Sequence, residues 1–534
     1  MKEVIVEHLS CDVLVVGSGA AGLRAAISVR EKGLEVCVIS KRTPGKGTST
    51  ILSGGVFAGV REGASPDNHL KRTLQAGRGI NQRGLVEILV EEGPMRLREL
   101  VEWGIKAEFK YGYLYSNGRP PFWGEEIVRC LVRKNKALGV RLMGGLLVTD
   151  LKMRQGTAGA VAYSAPSGNW FAISAKAVIL ATGGAAALYL RHDNPKSMLG
   201  DGYALALNAG ATLQDMEFVQ FYPLGLARSG LPRFLIPPRL ADLGRLFNSH
   251  GEEILKKYEI YDRPAAERAR DQLSQALFTE VHRNGEEVWL DLRTVAEEVW
   301  CADPLSASTR DILGERYGLM HRVGRVAPMA HHVMGGVCID SQGATSVAGL
   351  FAAGEVTGGL HGANRMGGNA LTETVVFGTR AGEAAAAWAK GRDKSKVDEP
   401  FGDLDQPPLE QQQSKAKSNP AQFIERLRQI LWEQGGILRN LQGLTRALDE
   451  VNEIQEEALN LPLGGEPRQV VRTLELRSGA QTAGLILQAA LKRQESRGAH
   501  FREDFPDQDD KDWRGHLQVR LSRKGERIWA FQPI

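Results

Sequence analysis

The sequence predicts an α/β fold with one discontinuous main domain. Three observations support this prediction: a glycine-rich turn between two apolar strands near the start, two later strands that each end in glycines, and a long segment of different pattern between them. Strands that alternate with helices form a parallel sheet, and such sheets bind ligands at the carboxyl ends of their strands. We therefore expect a Rossmann-like domain, assembled from two separate parts of the chain.

The first strand-turn-helix unit carries the clearest motif. An apolar strand at residues 12–16 leads into Gly17-Ser18-Gly19-Ala20-Ala21-Gly22, a helix is predicted over residues 20–32, and a second strand over residues 34–39. Gly17 permits the tight turn, Gly19 lets a diphosphate approach the backbone, and Gly22 allows close packing of helix on strand. The helix N-terminus, with Ala20 and Ala21, then favours an anion. This pattern indicates a dinucleotide site.

The end of the second strand narrows the choice of dinucleotide. Ser40 and Lys41 stand where NAD-dependent dehydrogenases commonly have an acidic residue that holds the adenosine ribose. A hydroxyl can still bond the ribose, and the lysine can lie near phosphate. The departure argues against an ordinary NAD dehydrogenase.

Two later units complete the main domain. Residues 177–180 lead into Thr182 and Gly183, and residues 349–353 lead into Gly354 and Glu355. The predicted division is a first part of the dinucleotide-binding domain at 1–225, an α+β capping domain at 226–327, a second part at 328–390, a polar linker at 391–419, and a C-terminal helical domain with a tail at 420–534. Substrates commonly bind at such domain interfaces.

Composition excludes several classes of protein. The 67 basic and 63 acidic residues give a net charge of +4, too balanced for a nucleic-acid-binding protein. The five cysteines have no CxxC or ferredoxin-like spacing, so we expect no iron–sulfur cluster in this chain. No apolar run reaches the roughly 18 residues of a membrane span, and we expect no signal peptide. The expected location is cytoplasmic, with any attachment to the inner membrane made through partner subunits.

The most informative stretch is residues 330–371, where His331, a glycine-rich turn and Arg365 occur together. An arginine fork binds a carboxylate through two hydrogen bonds and stays charged. His331 and His332 are adjacent, so on a strand they point to opposite faces and cannot readily share a metal. We expect a carboxylate site without a metal, with His332 in a structural role.

With these motifs in place, the chain resembles the succinate dehydrogenase/fumarate reductase flavoprotein family, which includes L-aspartate oxidase. The resemblance runs from about residue 12 to residue 516. Its other strings are Gly200-Asp201-Gly202, Met216-Glu217-Phe218-Val219-Gln220-Phe221, Arg270-Asp271, and Glu495-Ser496-Arg497-Gly498-Ala499-His500-Phe501-Arg502-Glu503-Asp504-Phe505-Pro506.

The resemblance implies FAD as the cofactor and a role for each matching residue. Cofactor contacts are implied for Gly17, Gly19, Ala20, Ala21, Gly22, Ser40, Lys41, Gly54, Gly55, Thr182, Gly183, Asp201, Gly354, Glu355, Asn369, Ala370 and Leu371. His331 and Arg365 match the ligands of the substrate carboxylate, and Arg270 matches the capping-domain arginine that exchanges a proton. The implied reaction moves a hydride between flavin N5 and a carbon beside a carboxylate.

Three departures from the family pattern bear on the substrate. No histidine precedes Gly54-Gly55, so FAD should be noncovalent. Tyr222 and Leu224 replace the histidine and threonine of a substrate loop, and residues 236–244 lack the family's Thr-Glu pair. A buried carboxylate without partners is costly, so fumarate, succinate and L-aspartate become doubtful substrates. A substrate with one carboxylate and an apolar remainder fits Tyr222, Leu224, Pro237 and Trp123 better.

Three functions remain open at this point. The first is an FAD-dependent oxidoreductase acting on a carbon–carbon bond next to a carboxylate, as the flavoprotein subunit of a larger complex with an iron–sulfur or other electron-transfer partner. The second is an amine oxidase similar to L-aspartate oxidase. The third is an electron-transfer subunit without its own substrate turnover, favoured by the altered capping loops and opposed by Arg270, His331 and Arg365.

Overall fold

The computed structural model describes residues 5–59, 65–119, 122–154, 157–227, 235–302, 304–311, 322–392 and 419–534. Its centre is a five-stranded parallel sheet with the order Leu350–Ala352, Ala177–Leu180, Val13–Val16, Val36–Ser40, Arg141–Gly144. The inner strands are short apolar runs buried on both faces, as parallel sheets require. The predicted α/β fold is confirmed.

Two helices, Ala20–Glu31 and Asn369–Lys390, pack on the central sheet and on each other. Their backbones approach closely because Gly378 and Gly382 face the first helix. A Cβ on Gly382 would lie 2.5 Å from the carbonyl oxygen of Ala25. This contact joins the N-terminal strand-turn-helix unit to the segment that follows Arg365.

Smaller sheets and helices surround the dinucleotide-binding core. One sheet has the order Val6–Ser10, Trp170–Ala175, Thr157–Ser164, Leu146–Arg154, and another Val56–Ala58, Tyr113–Ser116, Ala107–Lys110. The remaining helices of this region are Ser49–Leu52, Pro66–Ala76, Arg83–Glu102, Glu125–Ala137, Asp201–Asn208 and the 3₁₀ turn Ala186–Leu188.

A second unit with its own apolar cluster, the capping unit, covers the carboxyl edge of the central sheet. Its antiparallel sheet has the order Val219–Leu226, Val323–Val333, Val288–Asp291, Arg245–Asn248. The first and last strands of this sheet along the chain, Val219–Leu226 and Val323–Val333, cross the expected boundaries at 225/226 and 327/328. Its helices are Leu240–Leu243, Ile254–Lys257, Ala265–Arg268, Arg270–Phe278, Thr279–Arg283 (a π-helix), Glu297–Trp300 and Pro304–Asp311.

The C-terminal region begins with three helices, Pro420–Glu433, Leu441–Asn460 and Pro467–Lys492. A hairpin, Gly515–Leu521 with Arg527–Pro533, then joins Leu213–Gln214 and Gly336–Val337 in a four-stranded sheet. The last residues are therefore more than a tail, since they extend a sheet of the core. Most of the predicted linker at 391–419 lies outside the described residues.

Among the described ranges, no helix combines the length and the hydropathy needed to cross a membrane. Their histidine, cysteine and acidic side chains form no group that could hold a metal ion.

Candidate functional site

A cavity of about 1660 Å³ lies between the carboxyl edge of the central sheet and the capping elements. It brings together most of the residues predicted from the sequence, which border it in the following order along the chain: Gly17, Gly19, Ala20, Ala21, Ser40, Lys41, Gly54, Thr182, Gly183, Asp201, Tyr222, Arg270, His331, Gly354, Glu355, Arg365, Ala370 and Leu371. Gly22, Gly55, Leu224 and Asn369 are not among its lining residues.

The glycine turn forms one end of this cavity. Gly17 has φ +113°, and a Cβ there would overlap the carbonyl oxygen of Ala181, so the turn requires glycine. Gly19 is the N-cap of the helix Ala20–Glu31 and offers no side chain to its N–H groups, although Ala20 N–H donates to Thr50 Oγ1 at 3.1 Å. A helix N-terminus of this kind suits a diphosphate.

The side chains beyond the turn fit the adenosine end of FAD. Lys41 Nζ contacts Asp201 Oδ2 at 2.5 Å and Glu475 Oε1 at 3.0 Å. Asp201 Oδ1 and Thr182 Oγ1 are buried without a hydrogen-bond partner among the described residues. Buried polar atoms are normally paired, so these two oxygens indicate a polar ligand in the cavity.

Glu355 lies at the middle of the cavity. Its carboxylate accepts a hydrogen bond from the backbone N–H of Val333 at 3.1 Å. Burial raises the pKa of Glu355 to about 8, because desolvation disfavours the charged form. A protonated or hydrogen-bonded carboxyl here can bond the hydroxyl groups of a ribityl chain.

Three predicted cofactor residues lie behind the cavity wall. A Cβ on Gly22 would overlap the carbonyl oxygen of Gly17, so the helix can pack against the turn only with glycine at this position. Gly55 has φ +67° and packs against Trp123. The side chain of Asn369 accepts a bond from His69 Nε2 at 2.8 Å and donates to Thr73 Oγ1 at 2.9 Å. The side chain of Asn369 therefore supports the wall.

Two buried arginines form the opposite end of the cavity. Arg365 donates to Gln220 Oε1 at 2.9 Å, yet its Nε is buried without a partner among the described residues, and so is Nη1 of Arg270. Arg270 is 5% exposed and Arg365 is 7% exposed. Burial and the neighbouring cation of Arg270 lower the pKa of Arg365 to about 9, and burial lowers the pKa of Arg270. The unpartnered N–H groups, the burial and the lowered pKa values each favour an anionic ligand between the two arginines.

His331 is oriented by residues that carry no recognisable motif. Its Nδ1 bonds Asp193 Oδ2 at 2.6 Å, and Asn194 Nδ2 donates to the carbonyl oxygen of His331 at 2.8 Å. Asn194 in turn accepts from Ser49 Oγ at 2.6 Å. A carboxylate that bonds one ring nitrogen leaves the other available to the cavity. Asp193 and Asn194 were missed from the sequence because they follow no glycine turn.

Tyr222 presents its ring, not its hydroxyl, to this end of the cavity. The hydroxyl donates to the carbonyl oxygen of Ile236 at 2.5 Å. The ring centroid lies 5.6 Å from the guanidinium carbon of Arg270 and 5.8 Å from the ring of His331. The aromatic face therefore stabilises the cation of Arg270.

The predicted position of Leu224 is corrected by the structure. This side chain is fully buried in the apolar cluster of the capping unit and does not border the cavity. The strand Val219–Leu226 carries both Tyr222 and Leu224, but a shift of register between Tyr222 and Gly225 breaks the simple alternation of its faces.

Apolar side chains make up another part of the cavity lining, and further cations also border the cavity. The apolar residues are Phe122, Trp123, Leu235, Pro237, Pro238 and Leu305. These cations include Lys71, Arg72, Arg239 and Arg268, which are exposed or half-buried, and Arg72 is paired with Glu267 at 4.0 Å.

These features fit a flavoprotein oxidoreductase: a dinucleotide-binding turn and two buried arginines border the same cavity. The sequence matches the family model described as FAD binding domain over residues 12–371, and that described as fumarate reductase flavoprotein C-term over residues 424–532. The chain thus belongs to the FAD-dependent fumarate reductase/succinate dehydrogenase flavoprotein family.

Relatives and solved structures agree with this assignment. The chain is 35% identical to one subunit of the fumarate reductase (CoM/CoB) of Methanothermobacter marburgensis, with 94% of this chain and 95% of the relative covered. It is 33% identical to L-aspartate oxidase of Streptomyces coelicolor, with 96% and 92% covered. A structure of E. coli quinol fumarate reductase with a point mutation in FrdA superposes with a TM-score of 0.86 at 27% identity, covering 99% and 97%.

Proposed function

We propose that this protein transfers a hydride between FAD and a carbon–carbon bond adjacent to a carboxylate. The observation that carries the proposal is the pair of buried guanidinium groups, Arg270 and Arg365, with N–H donors that lack partners in the described structure. An uncompensated buried cation is costly, and a carboxylate between the two offsets that cost.

Each residue at this end has a proposed role in the reaction. Arg365 and His331 hold the carboxylate, so that positive charge lies where negative charge develops during hydride attack on an enoate. Arg270 exchanges a proton with the neighbouring carbon. Arginine is an unusual acid because its ordinary pKa exceeds ~12, and burial shifts the pKa in the direction this role needs. FAD, when bound and reduced, would supply the hydride and would itself be oxidised.

We further propose that the substrate has one carboxylate and an apolar remainder. The support comes from the wall made of Trp123, Pro237 and Leu305, and from Tyr222, whose hydroxyl is already bonded to Ile236. The side chains of Pro237 and Leu305 carry no hydrogen-bond donor for a second carboxylate, and the hydroxyl of Tyr222 already donates its hydrogen to Ile236. We also propose an electron-transfer partner protein, since relatives carry names such as fumarate reductase flavoprotein subunit.

The experiment is anaerobic reoxidation of the reduced holoenzyme by crotonate, trans-cinnamate, fumarate and L-aspartate's oxidation product iminosuccinate, followed through flavin absorbance. Fast reoxidation by the two monocarboxylates is expected, and Arg365→Ala should abolish it while FAD stays bound. Reoxidation by fumarate alone would contradict the substrate proposal. Rates that Arg365→Ala leaves unchanged would contradict the role of the arginine and favour an electron-transfer subunit.

A further inference from the structure

Residues 495–506 form a compact, highly charged segment that does not border the cavity. The side chains of Arg493, Arg497 and Arg502 are at most 1% exposed. Glu495 accepts hydrogen bonds from Arg493 at 2.9 Å and from Arg497 at 2.8 Å. Burying ions is expensive, and apolar residues of similar volume often stabilise a fold as well or better. Stability alone therefore does not account for this network.

The network shapes a tight turn at residues 497–500. Arg497 and His500 exchange backbone hydrogen bonds of 2.8 and 3.0 Å, which leaves Gly498 and Ala499 at the tip. Ala499 N–H donates to the carbonyl oxygen of Ala363 at 2.9 Å. Gly498 has φ +54°, and a Cβ there would lie only 2.5 Å from the same oxygen. The turn thus meets the chain backbone-to-backbone two residues before Arg365.

The segment before Arg365 is also held on other sides. Ala363 N–H donates to the carbonyl oxygen of Gly77 at 3.0 Å, and Gln220 Nε2 donates to the carbonyl oxygen of Arg365 at 3.1 Å. Arg497 Nη1 donates to the carbonyl oxygen of Arg78 at 2.8 Å. The same arginine therefore fixes both the turn at 497–500 and the neighbouring loop that bonds Ala363.

We propose that the turn at residues 497–500 is the positioning element for Arg365, and that Gly498 is a positioning residue for the carboxylate. This inference rests on the proposed function of Arg365. A guanidinium that binds a carboxylate through two hydrogen bonds tolerates little displacement, and shifts of about 1 Å in such groups reduce activity strongly. The required precision explains why a rigid, charge-paired segment lies behind the loop.

The first test is amide hydrogen exchange of the holoenzyme, with Gly498→Ala compared with wild type. The new methyl group must displace the carbonyl of Ala363, so exchange in residues 361–366 should accelerate at least about tenfold. Gly525→Ala is the matched control, because Gly525 also has a positive φ of +82° but a Cβ there meets nothing within 4 Å. Exchange at 361–366 should be unchanged in this control, and FAD content should be unchanged in both variants.

The second test measures trans-cinnamate binding to the oxidised holoenzyme through the flavin absorbance change. Gly498→Ala should raise Kd about tenfold in the wild-type background and less than about twofold when Arg365→Ala is already present. Non-additivity of this kind shows that the glycine acts through the arginine. Should Gly498→Ala lose FAD, Arg497→Lys replaces it, since lysine cannot bond Glu495 and Arg78 together.

The outcomes separate the two proposals. Unchanged exchange at 361–366, or equal rises of Kd in both backgrounds, overturns the positioning role. If cinnamate does not bind, or if Arg365→Ala leaves its Kd unchanged, the proposed function of Arg365 fails. The exchange measurement, which requires no ligand, then still decides whether the turn positions the loop.

Discussion

At the scale of single residues, the proposed preference for a monocarboxylate depends on Tyr222. Tyr222 lies between Arg270 and His331 and has its hydroxyl bonded to Ile236. An aromatic face there stabilises a cation but gives no hydrogen bond to a second carboxylate. The identity of this residue therefore bears directly on substrate choice.

The matched pair Tyr222→His and Tyr222→Phe tests this role. The imidazole should favour dicarboxylates, raising the ratio of kcat/KM for fumarate over crotonate at least about tenfold at pH 6. Phenylalanine keeps the ring beside Arg270, so that ratio should stay within about threefold, while the unpaired carbonyl of Ile236 destabilises the fold by about 1–2 kcal/mol. Steady-state kinetics and chemical denaturation check both expectations. An unchanged ratio in the histidine variant would show that Tyr222 does not set specificity.

Glu355 makes the stability of the FAD-free protein depend on pH. Burial raises its pKa to about 8, from an ordinary value of 4.5. Between those values the folded state holds a proton that the unfolded state has released, so this group's contribution to stability is present at low pH and is lost as pH rises toward 8. Glu355→Gln should reduce the fall in unfolding free energy between pH 5 and pH 8 by at least about 1 kcal/mol. Urea titrations at pH 5 and pH 8 measure the unfolding free energy of wild type and variant. An equal fall in both would contradict the raised pKa of Glu355.

At the scale of elements, the turn between the strand Val13–Val16 and the helix Ala20–Glu31 leaves no room for a side chain at Gly17. Gly17→Ala should abolish FAD binding, because the methyl group would overlap the carbonyl of Ala181. Gly33→Ala is the control in the same unit: Gly33 has φ +84°, but a Cβ there meets nothing within 4 Å. The control should retain FAD and lose about 1 kcal/mol of stability. The ratio of flavin absorbance to protein absorbance distinguishes Gly17→Ala from Gly33→Ala.

The sequence predicted the elements that a local pattern encodes and missed those that need distant partners. The strand at 12–16 and the helix at 20–32 lie within one or two residues of Val13–Val16 and Ala20–Glu31, because glycines and apolar runs mark both. The bond between His331 and Asp193 spans 138 residues and has no local signature. Leu224 was assigned to the pocket because it replaces a threonine of the family's substrate loop, but it lies in the apolar cluster of the capping unit, on a strand whose register shifts between Tyr222 and Gly225.

At the scale of the whole molecule, an ion pair joins the capping unit to the C-terminal region. Arg283 lies five residues after the end of the helix Arg270–Phe278. Its guanidinium donates hydrogen bonds to both carboxylate oxygens of Glu503, at 2.6 and 2.7 Å. The pair is partly exposed, so it should add less than about 1 kcal/mol to overall stability. Its position instead links the capping unit directly to the C-terminal region.

Glu503→Gln should therefore accelerate hydrogen exchange in residues 270–283 and lower kcat/KM by roughly threefold, with little change in the free energy of unfolding. Glu450→Gln is the control, since Glu450 has the same side-chain exposure of 29% and pairs with Arg426 within the C-terminal region. Equal exchange in both variants would show that the pair does not restrain the capping unit.

The last helix and the turn at 497–500 support opposite ends of one cavity without bordering it: Glu475 contacts Lys41, and Ala499 bonds Ala363, two residues before Arg365. Both contacts come from residues more than 400 positions after the glycine turn at 17–22. A ribosome-bound nascent protein would thus retain flavin poorly until residues 475–499 emerge, so cofactor loading should follow the synthesis of that segment.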